Sequence, residues 1–265
     1  MLTDAPQAAQ IQVPDRDHVA AVAAAEVEAL LRVVRDLEEE EWGLPTVNTG
    51  WAVRDVVAHV AATYQEAAQF TTLLRRLWQA GRRHPEISRL DARNACQVQE
   101  LAAVSHEALT AMLAKMGPAG VRGFRRIPEV MRRTRATWFF PGANLPEDSL
   151  GYVFDVLGPR DPWMHRIDIC RATHREPELD DHDHEVVALV VRDVARTWSG
   201  APVLLELTGP AGGTWRVGEG PAVATARADA LEFLWRLSGR PGAQELEVQG
   251  DETTGATLAH LRVEF

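Results

Sequence analysis

Along roughly the first three quarters of this chain apolar residues recur at intervals of three and four, the period of helices that bury one face. The last quarter changes to short apolar runs and alternations of the kind strands show. Within residues 15–42 the positions Val19, Val22, Ala23, Leu30, Val33, Val34 and Leu37 follow helical spacing and predict a first long helix with an acidic run, residues 38–41, at its far end. Carboxylates at a helix C-terminus oppose the macrodipole, so that run reads as a solvated end. After a turn over residues 45–50, Val53, Val56, Val57, Val60, Tyr64, Ala67 and Leu74 form one stripe and predict a second helix over residues 52–80, stopped by Gly81. Helical patterns resume over residues 90–116, with an interruption near Ser105, and over residues 129–138. Further amphipathic stretches follow over residues 148–157, 162–173 and 183–198.

Beyond Gly200 the run Val203-Leu204-Leu205-Glu206-Leu207 reads as a strand, the glycine cluster from Gly209 to Gly213 as a turn, and residues 214–217 as the partner strand. Residues 229–238 read as a helix closed by Gly239, residues 245–248 as another strand and residues 253–261 as a last helix. The pattern therefore predicts an α+β chain in two parts, a helical bundle over residues 1–178 and a small α+β domain over residues 179–265. No repeat or flexible linker separates them, so a cleft between the two is the expected ligand site.

Composition narrows the function. A formal charge of −10 disfavours nucleic acid and an anionic membrane surface as partners. Cys96 and Cys170 are the only cysteines, too few for a disulfide framework, and no stretch reaches the length of a membrane span; residues 1–13 lack the pattern of a secretory signal. A cytoplasmic protein is expected. Lys115 is the sole lysine among many arginines, a bias that suggests a GC-rich genome. There is no GxSxG elbow, P-loop, Rossmann glycine fingerprint or HExxH.

Chemistry concentrates in a few polar residues. In Asp161-Pro162-Trp163-Met164-His165 the carboxylate and imidazole are four apart, one helical turn, and can chelate one metal ion. His59 lies at the edge of the second helix's apolar stripe and can supply a third ligand, completing the two-imidazole, one-carboxylate set of open catalytic zinc sites. Blander readings compete: with Pro162 behind it Asp161 suits a helix N-cap, and His59 suits a satisfied histidine at the core's edge. Asp168 can orient His165 through a hydrogen bond or simply pair with Arg166 or Arg171. The Asp181-His182-Asp183-His184 cluster reads as a polar helix start, and both cysteines as small buried hydrophobes.

The segments Thr49-Gly50-Trp51-Ala52-Val53-Arg54-Asp55-Val56-Val57-Ala58-His59 and Trp163-Met164-His165-Arg166-Ile167-Asp168 together resemble the mycothiol-dependent maleylpyruvate isomerase family. Near the C-terminus, Leu207-Thr208-Gly209-Pro210-Ala211-Gly212-Gly213, Ala228-Asp229-Ala230-Leu231-Glu232-Phe233 and Leu237-Ser238-Gly239-Arg240 look like that family's sterol-carrier-like domain. The resemblance implies a DinB-like four-helix bundle followed by a sterol-carrier-like domain, in an actinobacterial protein. It also implies a divalent metal, zinc being the expected ion, held by His59, Asp161 and His165, although the family pattern has glutamate where this chain has Asp161. Mycothiol would be the thiol cosubstrate, and a small electrophile would undergo cis–trans isomerisation or S-transfer. The alternative is a non-catalytic protein of the same fold that binds a metal or a small ligand.

Overall fold

The computed structural model describes residues 5–139 and 145–265. They fall into two compact units, one of residues 14–139 and 147–178, the other of residues 179–265 with residues 5–13 and 145–146. The first unit is helical: α1 (Arg16–Arg35), α2 (Val53–Ala68), α3 (Phe70–Arg83), α4 (Arg89–Leu101), α5 (His106–Arg126), the single turns α6 (Glu129–Arg132) and α7 (Leu150–Tyr152), and α8 (Gly158–Ala172). Helices α1, α2, α5 and α8 pack on one another as a four-helix bundle. Its core includes Val27, Leu30 and Leu31 of α1, Val57, Val60 and Ala61 of α2, Leu109 and Leu113 of α5, and Ile169 of α8. Two glycines of α5 set the distance to α2: a Cβ on Gly120 would lie 2.6 Å from the Tyr64 carbonyl oxygen and one on Gly123 2.0 Å from that of Ala67. Only glycine permits so close a backbone approach.

Three departures from the sequence pattern in the helical unit bear on the site. The first helix ends at Arg35, and residues of the acidic run form a separate 3-10 turn, Glu39–Gly43, in which a Glu41 carboxylate oxygen accepts from the Glu38 N–H at 2.7 Å. These carboxylates thus serve a helix start, where the dipole favours them, rather than a helix end. The second helix breaks at Gln69 (φ −135°, ψ 84°), and its continuation as α3 runs past Gly81. In one straight helix Arg76 would sit about 21 Å along the axis from Ala62. The break instead folds α3 back, so that the buried Arg76 donates to the Ala62 carbonyl at 3.1 Å and pairs with Glu66 at 3.1 Å. The third departure precedes α8, where residues Val153–Leu157 form a π-turn and the Gly158 N–H donates to the Val153 carbonyl. Pro159 and Pro162 follow; neither has an N–H, and a widened turn eases the crowding that proline rings impose on the preceding turn.

The second unit comprises α9 (Asp181–Thr197), β1 (Val203–Thr208), β2 (Gly213–Val217), β3 (Ala224–Asp229), α10 (Ala230–Leu237), β4 (Glu247–Gly250) and α11 (Glu252–His260). Its mixed sheet has the order β2-β1-β3-β4. The expected hairpin is present, with Val203 opposite Val217 and Leu205 opposite Trp215. Strand β3, parallel to β1, went unpredicted because its inward residues Ala224 and Ala226 are too small to mark an apolar alternation. The Asp181–His184 cluster opens α9, whose Asp183 carboxylate accepts from the Asp180 N–H at 2.7 Å, the polar helix start that its composition suggested. The chain is α+β, a helical unit joined to one built on a small sheet.

Candidate metal centre

Helices α2 and α8 bring the three predicted ligand residues together. His59 of α2 is 3% exposed and His165 of α8 is 8% exposed, whereas the Asp161 side chain, one turn before His165, retains 29%. The His59 Nε2 lies 3.6 Å from one Asp161 carboxylate oxygen and the His165 Nε2 3.6 Å from the other. One ligand atom from each of the three residues lies within 4.8 Å of the other two. Asp161 is the fourth residue of α8, and the helix begins after Leu157, so the N-cap reading of Asp161 fails.

The far side of each ring is held. His59 Nδ1 is 2.8 Å from Gln97 Oε1, and the Gln97 amide nitrogen donates to a Glu66 carboxylate oxygen at 3.0 Å. Because a paired carboxylate only accepts, the amide is fixed with its nitrogen toward Glu66 and its oxygen toward His59, which places the imidazole proton on Nδ1. Glu66 is buried and bound by two guanidiniums, Arg76 at 3.1 Å and Arg93 through its Nε at 2.6 Å. On the other ring, His165 Nδ1 is 2.9 Å from Asp168 Oδ2, an oxygen that also accepts from the Asn48 amide at 3.0 Å. Asp168 is buried and turned to His165, the orienting role that the sequence left open.

When both rings are neutral, with their protons on Nδ1, the two Nε2 atoms meet the Asp161 carboxylate as acceptors facing acceptors. Such a juxtaposition is relieved by a proton or a cation held between them. The donor set, two imidazole nitrogens and a carboxylate with the outer nitrogens anchored, is the kind that holds a divalent first-row metal ion and leaves room for an exogenous ligand. A proton held there does the same as a cation: burial raises the Asp161 pKa, but the charge of protonated His165 and the hydrogen bond and charge of protonated His59, with Arg93 farther off, outweigh it and hold the carboxyl well below the usual carboxylate range. The partly exposed Trp51 indole lies 5.2 Å from the His59 ring and 6.3 Å from the His165 ring, centroid to centroid, and walls one side of the trio.

Gln97, Glu66, Asn48 and Trp51 are the neighbours that the sequence reading missed. Glu66 left a trace, being seven residues after His59 on the same face of α2, a polar residue where the stripe calls for an apolar one. Gln97 and Asn48 left none, since only the fold brings α4 and the residue 45–50 turn to the site. Cys170 and Cys96 are buried, and burial pushes the Cys170 thiol up to about 11, consistent with a packing role.

The family model described as the mycothiol maleylpyruvate isomerase N-terminal domain matches residues 23–170, more than half of the chain and a span that contains all three metal-ligand candidates. Two solved structures share the fold: a mycothiol-dependent maleylpyruvate isomerase and a histidine-to-alanine mutant of such an enzyme. Each is 14% identical with a TM-score of 0.57, covering 90% of this chain and 95% of the other. No curated protein sequence gives a significant match.

Proposed function

The chain belongs to the mycothiol maleylpyruvate isomerase N-terminal domain family, and from that membership we propose that it is a metal-dependent enzyme that uses mycothiol to act on a small electrophile. In this reading residues 1–178 carry the metal and thiol chemistry, and residues 179–265 form the accompanying sterol-carrier-like domain. His59, Asp161 and His165 are the metal ligands, zinc being the ion the donor set suits best. A cation at this position would stabilise the thiolate of a bound thiol at neutral pH.

The chain's own residues supply the rest. Gln97 and Asp168 keep the two Nε2 atoms directed at the site, and Asp161 contributes a full negative charge because its carboxyl stays ionised. Trp51 narrows the approach and offers an aromatic face to a planar conjugated substrate. For an isomerase the thiolate sulfur adds to a conjugated cis double bond and the electron pair moves to a carbonyl oxygen. Rotation about the resulting single bond and expulsion of the thiolate leave the trans alkene and regenerate the thiol. For an S-transferase the adduct is released instead. The observation that carries the proposal is the convergence of two ring nitrogens and a carboxylate, with the outer nitrogen of each ring anchored on another side chain.

The test is elemental analysis of purified protein beside His59→Ala and His165→Ala, followed by assay of maleylpyruvate-type enediones and simple electrophiles with and without mycothiol. About one metal per chain, lost in both variants, with turnover that requires mycothiol, is expected. A metal-free chain that takes up no divalent ion on reconstitution would overturn the proposal.

A further inference from the structure

Helix α3 carries Phe70, Leu74 and Trp78 at successive intervals of four, and all three are exposed, at 54%, 52% and 64%. At about 100° per residue they span an arc of about 80° on one side of the helix, well away from Arg76 and Ala80, which face inward. Ile87 and Leu90, just beyond the helix, are exposed as well. Aromatic and leucine side chains of this size together present a few hundred Å² of apolar surface, the size of the largest patch on an ordinary monomer, which is often a functional one.

The surrounding charge identifies what this face suits. Residues 70–90 contain five arginines, Arg75, Arg76, Arg82, Arg83 and Arg89, against a single carboxylate, Glu86, in a chain whose net charge is −10. Arg75 and Arg76 are taken up by Glu100 and Glu66. Arg82, Arg83 and Arg89 are exposed and pair with no carboxylate among the described residues; Arg82 lies over the Trp78 ring at 5.0 Å from its centroid. The chain-wide charge behind the expectation of no membrane partner averages over this local reversal.

We infer that α3 is an interfacial helix that docks this protein on an anionic lipid surface, with Phe70, Leu74 and Trp78 entering the headgroup boundary and Arg82, Arg83 and Arg89 meeting the lipid phosphates. An apolar stripe of aromatic residues and leucine beside unpaired arginines, on a helix of low mean hydropathy, is the composition of helices that lie in the membrane plane. The attachment is peripheral: no helix among the described residues is long and apolar enough to cross a membrane. A second copy of the chain fits less well. Symmetric pairing of two such faces would gather six unpaired arginines around two copies of Glu86, whereas an anionic surface neutralises them.

The test is co-sedimentation of the full-length protein with vesicles of phosphatidylcholine alone or mixed equally with phosphatidylglycerol, alongside sedimentation velocity without lipid. Expected are binding to the phosphatidylglycerol vesicles only, weakening in 0.5 M salt, and a fall of about fivefold for each of Arg82, Arg83 and Arg89 changed to Gln. Leu74→Ser with Trp78→Ser should abolish binding, with circular dichroism and thermal midpoint showing the fold intact. Failure of the wild type to bind anionic vesicles at low salt, or equal binding to phosphatidylcholine, would overturn the inference. So would a dimer that Trp78→Ser converts to monomer, which would assign the face to a second copy.

Discussion

Replacing Gln97 with leucine removes the group that fixes the His59 ring while leaving all three proposed ligands in place. The 2.8 Å contact from His59 Nδ1 is lost in a buried setting, so an imidazole N–H is left without an acceptor. An unsatisfied buried donor costs about 1–3 kcal/mol, and that sets the expected loss of stability in the metal-free protein. Glu66 loses one donor but keeps Arg76 and Arg93, so the fold should survive. With the acceptor gone, the ring is free to rotate and to exchange its proton between nitrogens. The metal-binding form is then one of several, and affinity should fall about 10- to 100-fold, the usual consequence of losing a ligand's outer hydrogen bond. The same change at the other ring, Asp168→Leu, should cost more, because it removes a charged acceptor that also takes the Asn48 amide. The measurement is competition for zinc or cobalt(II) against a chelator, paired with long-range ¹H–¹⁵N spectra of the imidazoles in metal-free protein. A Gln97→Leu protein that binds metal within threefold of wild type, with the His59 proton still on Nδ1, would refute this reasoning.

Other consequences follow from single positions. The Cys170 thiol, with its pKa pushed to about 11 by burial, should resist iodoacetamide at pH 8 in the native protein and react once urea unfolds it. Because the folded pKa is raised, the stability linked to this thiol is complete below about pH 9 and is lost as pH rises through about 11, at most about 3 kcal/mol; Cys170→Ala should flatten that alkaline decline in urea titrations. His174 holds a left-handed φ of 55° just after α8, where the following Arg175 N–H donates back to the Cys170 carbonyl at 2.8 Å. His174→Gly should therefore stabilise the protein by about 0.5–1 kcal/mol in urea unfolding, and a loss of stability would show that the histidine side chain matters there. Gly123→Ala would put a methyl 2.0 Å from the Ala67 carbonyl oxygen and should cost about 2–4 kcal/mol, while Gly81→Ala, with nothing within 4 Å, should be neutral or stabilising. Equal unfolding midpoints for the two alanine variants would contradict the close approach of α5 and α2.

What could be read from the sequence was whatever a local period encodes. The stripe from Val53 to Val60 placed His59 on the inner edge of α2, and the four-residue spacing placed Asp161 and His165 on one face of α8. The hairpin of β1 and β2 carried its own turn residues. What escaped has no local period. Strand β3 is built on alanines, and the π-turn before α8 arises where two prolines enter the helix, a widening that no hydrophobic spacing marks.

The break at Gln69 matters most, because the site depends on it. The stripe predicts a helix through Leu74, and no glycine or proline interrupts it. A buried guanidinium with no partner is costly, however, and Arg76 finds its carboxylate and carbonyl partners on α2 only if the chain turns back. That turn lays α3 against α2 and α4, and α4 in turn presents Gln97 to His59 and Arg93 to Glu66. A charge ten residues beyond Glu66 thus helps decide which nitrogen of His59 faces Asp161, and hence whether the trio can accept a cation. The proposed ligands lie on helices that the periodicity finds, but their orientation rests on a buried polar network that a hydrophobic pattern does not encode.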